Sequence, residues 1–182
     1  MSLKQSSVLL TEIDGRGNIE AIMDYILAWT FKMCDKSYHG DSINPVLLKE
    51  CRKVLSSLIG VDVTNKECSI QTYFEWSKID LIVEAHIEGL GYHAILIENK
   101  VKAGLPEHEL QTNKKVFKNY YDKEDECQQH YWLICAYSPI PDYMKEQCLK
   151  DGYQYISLDE MSEYDAADIG NAIFDEFWRR SW

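Results

Sequence analysis

Three charged residues at the ends of two apolar runs are the part of this sequence best suited to chemistry. Asp80 interrupts Lys78-Ile79-Asp80-Leu81-Ile82-Val83, and Glu98 and Lys100 close Ala94-Ile95-Leu96-Ile97-Glu98-Asn99-Lys100. A strand sends alternate side chains to opposite faces, so Glu98 and Lys100, two apart, share one face. If the two runs pair through Glu88-Gly89-Leu90-Gly91, Asp80 lies opposite them. Two carboxylates brought to one point repel each other. A divalent cation relieves that repulsion, and a site of oxygen donors alone suits Mg2+ or Mn2+. A neighbouring lysine orients a water or stabilises charge on a phosphate. By spacing alone the same residues also describe a surface ion pair worth about 0–1 kcal/mol. Their position argues for chemistry, because four apolar residues lead directly into Glu98.

The elements that must position these residues are legible around them. Asn18 caps a helix whose apolar positions are Ile19, Ile22, Ile26, Trp29, Thr30 and Met33, close to a period of 3.6. After a polar loop from Asp35 to Ser42, Asn44 and Pro45 read as N-cap and first helical residue. Leu47, Leu48, Cys51, Val54, Leu55 and Leu58 form the stripe of this second helix, and Gly60 ends it. Strands follow at Ser69–Trp76, Ile79–His86 and His93–Glu98, the last two joined as a hairpin. A helix starts near Pro106, with Glu107 and Glu109 at its positive end, and runs to Tyr121. Its inward stripe is Leu110, Phe117 and Tyr121. Gln111, Lys115 and Lys118 share another stripe, one that suits a phosphate backbone or plain solvent. His130–Tyr137 is a strand, Asp142–Lys150 a short helix, Tyr153–Ser157 a last strand, and Asp159 onward a terminal helix. The order predicts a mixed α/β layer architecture, one sheet flanked by helices, in a single domain over residues 1–182.

Composition sets the bounds. With 46% hydrophobic and 27% charged residues the chain can bury a sizeable core. No apolar run approaches the roughly 20 residues of a membrane span, and the first residues lack the apolar stretch of a secretory signal, so the sequence reads as cytoplasmic with no membrane partner. Six scattered cysteines without a C-x-x-C pair argue for free thiols, Cys51 and Cys135 as core residues. The net charge of −11 opposes general affinity for nucleic acid. The charge is uneven, however: five lysines (100, 102, 114, 115, 118) face three glutamates between Glu98 and Asn119, whereas Asp159 to Glu176 holds seven acids and no Lys or Arg. The five histidines show no ligand spacing, His86 and His93 read as structural, and His39 lies in a polar loop. Gly15-Arg16-Gly17 reads as a turn.

Asp80 and Glu98-Asn99-Lys100 resemble the signature of the PD-(D/E)XK nuclease superfamily: an acid on one strand, then (D/E)-x-K on the next, in an α-β-β-β-α-β core. The likeness is strongest to a bacterial branch that begins with a helix bearing E-x8-W, here Glu20 to Trp29, followed by His-Gly, here His39-Gly40. It continues through Val101-Lys102-Ala103-Gly104 to a helix with Gln near its start, here Gln111, and covers residues 18–137. Ile79 replaces the proline of the name, and Lys115 stands where the helix motif has an aromatic. Glu109 or Gln111 fits the Gln position.

The resemblance implies a restriction-endonuclease-like core and a metal-dependent nuclease, DNA being the expected substrate. It implies that Asp80, Glu98, the backbone carbonyl of Asn99 and Glu20 hold Mg2+ or Mn2+. Lys100 then positions the attacking water, and Gln111 assists. Lys102, Lys115 and Lys118 would meet the nucleic acid, and a homodimer is compatible with the pattern. The alternative is a nucleic-acid-binding or assembly module that keeps the fold without cleaving. The acidic balance and the aromatic C-terminus (Phe174, Phe177, Trp178, Trp182) favour it, unless those aromatics pack on the sheet.

Overall fold

The computed structural model describes residues 19–101, 104–123, 126–163 and 165–181. Asn18, the 15–17 turn, Lys102 and Trp182 therefore lie outside the described residues. Helix α1 spans Ile19–Lys32 and α2 spans Pro45–Ile59, with a 3-10 turn at Lys36–His39 between them. Three strands follow, β1 (Cys68–Trp76), β2 (Ile79–Ile87) and β3 (Gly91–Lys100). Then come α3 (Glu109–Tyr121), β4 (Gln128–Cys135), α4 (Asp142–Asp151), β5 (Gln154–Ser157), α5 (Leu158–Met161) and α6 (Ala172–Trp178).

The strands form one sheet in the order β1-β2-β3-β4-β5. The first three make an antiparallel meander, while β3–β4 and β4–β5 are parallel. Parallel neighbours need a crossover, which α3 and α4 supply. Alternation along the strands divides the core in two. Leu81, Val83, Ile95 and Ile97 face α1, α2 and α6; Ile82, Ala94, Leu96 and Leu133 face α3 and α4. Because β3 is covered on both faces, seven of its residues in a row from His93 to Asn99 are at most 2% exposed.

The second helix forms as its sequence dictates. Asn44 Oδ1 accepts from the Val46 and Leu47 N–H groups, both at 3.1 Å, and Gly60 closes the helix at φ +75. Three expectations are corrected. In α1 the buried stripe is Met23, Leu27, Thr30 and Phe31. Ile26, Trp29 and Met33 only flank it, half-buried. The helix expected from Pro106 begins at Glu109, because His108 sits in the left-handed region at φ +67, through which no right-handed helix runs. The expected terminal helix is broken in two. Ser157 and Glu160 form a capping box that opens α5. Gly170 then turns at φ +81, and Asn171 caps α6 through the Phe174 N–H at 3.0 Å. Phe174, Phe177 and Trp178 are buried against the sheet rather than free for a partner. All six cysteines are free thiols. Among the described residues no helix is long and apolar enough to cross a membrane.

Candidate active site

The candidate site grows out of the point where β2 and β3 separate. Their ladder ends at Leu81 paired with Ile97. The next position would set Asp80 against Glu98, and there a side chain replaces the backbone partner: Asp80 Oδ2 accepts from the Asn99 N–H at 2.8 Å. An acid at this position is thus fixed by the fork itself.

Glu98 continues the row Ala94, Leu96 toward α3 and is fully buried. Its Oε1 accepts from Asn113 Nδ2 at 2.7 Å, and its Oε2 has no hydrogen-bond partner among the described residues. Burial pushes its carboxyl well above the usual range. The charge of Asp80 adds to this, and Asn113 and Lys100 pull it down only in part. Lys100, on the same strand face, is 7% exposed and lies 3.5 Å from Glu109 Oε2. Burial works to neutralise its ammonium. Asp80, Glu109, Glu98 and Glu20 outweigh that and raise its pKa above the ordinary value, so the lysine stays charged.

On the other face of β3, Asn99 points toward α1. Its Nδ2 donates a short hydrogen bond to Asp24 Oδ1. One turn earlier on α1, Glu20 Oε1 accepts from the Val101 N–H at 3.2 Å. Burial, with the nearby charges of Asp80 and Glu20, raises the Asp24 carboxyl to about 7, against the opposing bond from Asn99. Glu109 is therefore in contact with Lys100, and Asp80, Glu98 and Glu20 are near enough for their charges to act on it, a set drawn from α1, β2, β3 and α3.

The structure thus brings Asp80, Glu98, Lys100 and Glu20 together. It does not bring Gln111, which is exposed on α3, because the face of that helix toward Glu98 carries Glu109 and Asn113. Lys115 and Lys118 share the exposed face with Gln111, and Lys118 is paired with Asp122 at 2.8 Å. His39 Nε2 lies 2.9 Å from the Met33 carbonyl and ties its loop to α1. Asp24, Asn113 and Glu109's hold on Lys100 escaped the sequence reading. One signal was present for each: Asp24 lies four residues after Glu20, and Asn113 four after Glu109, so each shares a helix face with a recognised acid.

The donors are all oxygens of the kind a hard cation takes, and the partnerless Glu98 Oε2 is an available one. No group of three or more His, Cys, Asp or Glu side chains among the described residues already encloses a point for a metal ion. Each carboxylate is tethered instead to its own donor: Asp80 and Glu20 to backbone N–H groups, Asp24 and Glu98 to asparagine amides. The fit is one of donor chemistry. A separate cavity of about 160 Å³, lined by Glu50, Lys53, Trp178 and Arg179 among others, shares no residue with this cluster. Comparison with family models, with curated proteins and with solved structures gave no match.

Proposed function

We propose that this chain is a metal-dependent nuclease of the PD-(D/E)XK kind, hydrolysing phosphodiester bonds in nucleic acid, DNA foremost, on a restriction-endonuclease-like core. One observation carries the reading: a fully buried Glu98 with an unpartnered oxygen stands beside a charged, nearly buried Lys100 at the fork that Asp80 fills. An unsatisfied buried carboxyl costs stability. A buried Leu would fill the position at no such cost, and strongly shifted groups of this kind cluster where chemistry needs them.

Asp80, Glu98, the Asn99 carbonyl and Glu20 are the donors for Mg2+ or Mn2+. Bound there, such a cation neutralises charge on the phosphate and acidifies its water. Lys100 donates to the attacking water and to a non-bridging phosphate oxygen, which places nucleophile and target together. Glu109 aims Lys100, and Asn113 aims Glu98. Lys102, Lys115 and Lys118 are the residues proposed to meet the phosphate backbone.

The binding-module alternative draws support from the acidic balance of the chain, from the lack of a metal-enclosing group of acids among the described residues, and from the engagement of Lys100 by Glu109 at 3.5 Å. The deciding experiment is cleavage of duplex DNA, single-stranded DNA and RNA in Mn2+ by wild type, Lys100→Ala and Glu98→Gln. The expected result is cleavage by wild type that falls roughly a hundredfold or more in each variant. Wild-type protein that cuts none of the three substrates refutes the nuclease reading in favour of the module.

A further inference from the structure

Phe74 and Trp76 close strand β1 beside the fork. Residues two apart on a strand normally share a face. Here Glu75 lies between them at φ +49, and the alternation breaks. Phe74 pairs with Leu81, on the α1 side of the core, and its ring stands 5.0 Å from that of Tyr25. Trp76 pairs with Ile79, on the α3 side, and its ring stands 5.1 Å from that of Tyr120. One aromatic pair therefore sits on each face of the sheet at the strand end from which Asp80 departs. Tyr25 is 65% exposed, Tyr120 49% and Phe74 38%. Ser77 and Lys78 in the adjoining turn are also left-handed, at φ +55 and +74. Both residues form the two-residue hairpin turn between paired Trp76 and Ile79, which takes positive φ at both positions, so they fix where β1 ends and hold Trp76 at the turn.

We propose that these rings are a stacking platform for the unpaired bases of single-stranded nucleic acid, feeding the strand to the cluster at Asp80, Glu98 and Lys100. The proposal rests on the nuclease reading and names its substrate class. Charge selects this occupant over a duplex. The chain carries −11 overall, Lys100 is engaged by Glu109 and Lys114 by the carbonyls of Asp151 and Gly152, and the exposed cations left beside the platform among the described residues are few, Lys78 in the turn and Lys115 on α3. A duplex hides its bases and carries the phosphates of two strands, so it asks for more cations per length than a single strand does. A single strand offers π faces, and aromatic stacking holds these regardless of sequence. Tyr25 directly follows Asp24 in the chain, and Trp76 is paired with the residue before Asp80, so both aromatic pairs stand on the elements that carry the cluster.

The test measures binding by the full-length chain in EDTA, where metal-dependent cleavage is silent. The probes are an oligothymidylate of about 20 nucleotides, a duplex of that length and an abasic strand of that length. Oligothymidylate is expected to bind at least tenfold more tightly than the other two and to quench tryptophan fluorescence, a signal reduced in Trp76→Phe. Tyr25→Ala and Tyr120→Ala, both at exposed positions, should each weaken it roughly 5- to 100-fold with unchanged melting temperature. Equal binding of all three probes overturns the proposal. So does oligothymidylate binding that both substitutions leave intact, or self-association of the chain that they abolish, which would make the patch a protein contact. Cleavage in Mn2+ is scored separately. Lys100-dependent cutting without base-dependent binding sinks the platform and keeps the nuclease; base-dependent binding without any cutting does the reverse.

Discussion

Replacing Asn113 by Leu tests whether α3 holds Glu98 in place. The side chains share one branched heavy-atom skeleton, so the change removes a donor and leaves no cavity, and the added bulk of the two methyls is common to both arms of a double-mutant cycle. Asn113 is 3% exposed, and its Nδ2 at 2.7 Å is the one hydrogen-bond partner of the Glu98 carboxyl among the described residues. Without it both carboxyl oxygens are buried and unsatisfied. A stranded buried acceptor costs about 1–3 kcal/mol, so Asn113→Leu should destabilise by about 2 kcal/mol. For a chain of this length that lowers Tm by roughly 4–8 °C. In a Glu98→Leu background the acceptor is gone, and Asn113→Leu should then cost little, giving a coupling of about 2 kcal/mol in the double-mutant cycle. The same loss of orientation should weaken Mn2+ dependence of cleavage by roughly 10- to 100-fold, the usual consequence of removing a hydrogen bond that aims a ligand. Urea unfolding of the four proteins and Mn2+ titration of cleavage read both effects. A coupling under about 0.5 kcal/mol would show that the two side chains do not act on each other, and the positioning role of α3 would fall.

His130 offers a pH test at the far end of the sheet. Its Nε2 lies 3.1 Å from Nδ1 of His93, and burial, aided by the charge of His93, lowers its pKa from 6.5 to about 4. A base depressed in the fold binds its proton first in the unfolded chain. Stability should therefore be constant above about pH 6.5 from this source and fall as pH drops toward 4, by about 1–2 kcal/mol after allowance for partial exposure. Urea midpoints at pH 7 and pH 5 should differ less in His130→Phe than in wild type; an equal difference rules the pair out as the cause. Trp178→Phe removes the indole donor to Thr30 Oγ1 at 2.9 Å in the core and should cost about 2 kcal/mol by thermal melting. Arg179→Met removes the guanidinium that lies 2.6 Å from Glu50 Oε2 and also pairs with Glu163, leaving Glu50 to Lys53 alone at 2.8 Å, and should cost about 2 kcal/mol by thermal melting.

Much of this fold was legible because local signals agreed. In the second helix the cap, the proline, the stripe and the terminal glycine all specify one element, and it formed with those bounds. In α1 they did not suffice. Its apolar arc is wide enough that two neighbouring stripes both repeat at the helical period, and only the sheet decides which is inside. The late start of α3 and the break after α5 turn on single backbone angles, at His108 and Gly170, that no side-chain pattern announces. The site divides in the same way. Asp80, Glu98 and Lys100 could be placed together because strand alternation and one hairpin fix their geometry. Asn113 and Asp24 meet them only through helix docking, which periodicity does not encode. Gln111 was drawn in by its type, although its helical phase points it to solvent.

The distribution of costly features over the sheet argues for where selection has acted. At the 88–91 turn, glycines occupy the positions of positive φ, +73 at Gly89 and +87 at Gly91, and the chain turns without strain. At the opposite end Glu75, Ser77, Lys78 and His108 take left-handed angles with full side chains, two of them in a hairpin turn that requires it, while Glu126 before β4 does so at the 88–91 end. The buried carboxyl and amide oxygens Glu98 Oε2 and Asn99 Oδ1, neither hydrogen-bonded among the described residues, lie at that end too, whereas the unpartnered His93 Nε2 lies at the other. A hydrophobic residue at 98 would continue the row Ala94, Leu96 and spare the fold a buried charge, which is how a sequence selected for stability alone resolves such a position. Glu98 instead needs Asn113 to hold it and is pushed by burial toward its neutral form, which Lys100 opposes only in part. Lys100 in turn is engaged by Glu109. Each member makes the others necessary, whereas none is needed by the sheet, whose ladders and two apolar cores are complete without them. A chain of mutual dependence of this kind, running across β3 and α3, is the arrangement that the proposed site asks of the fold.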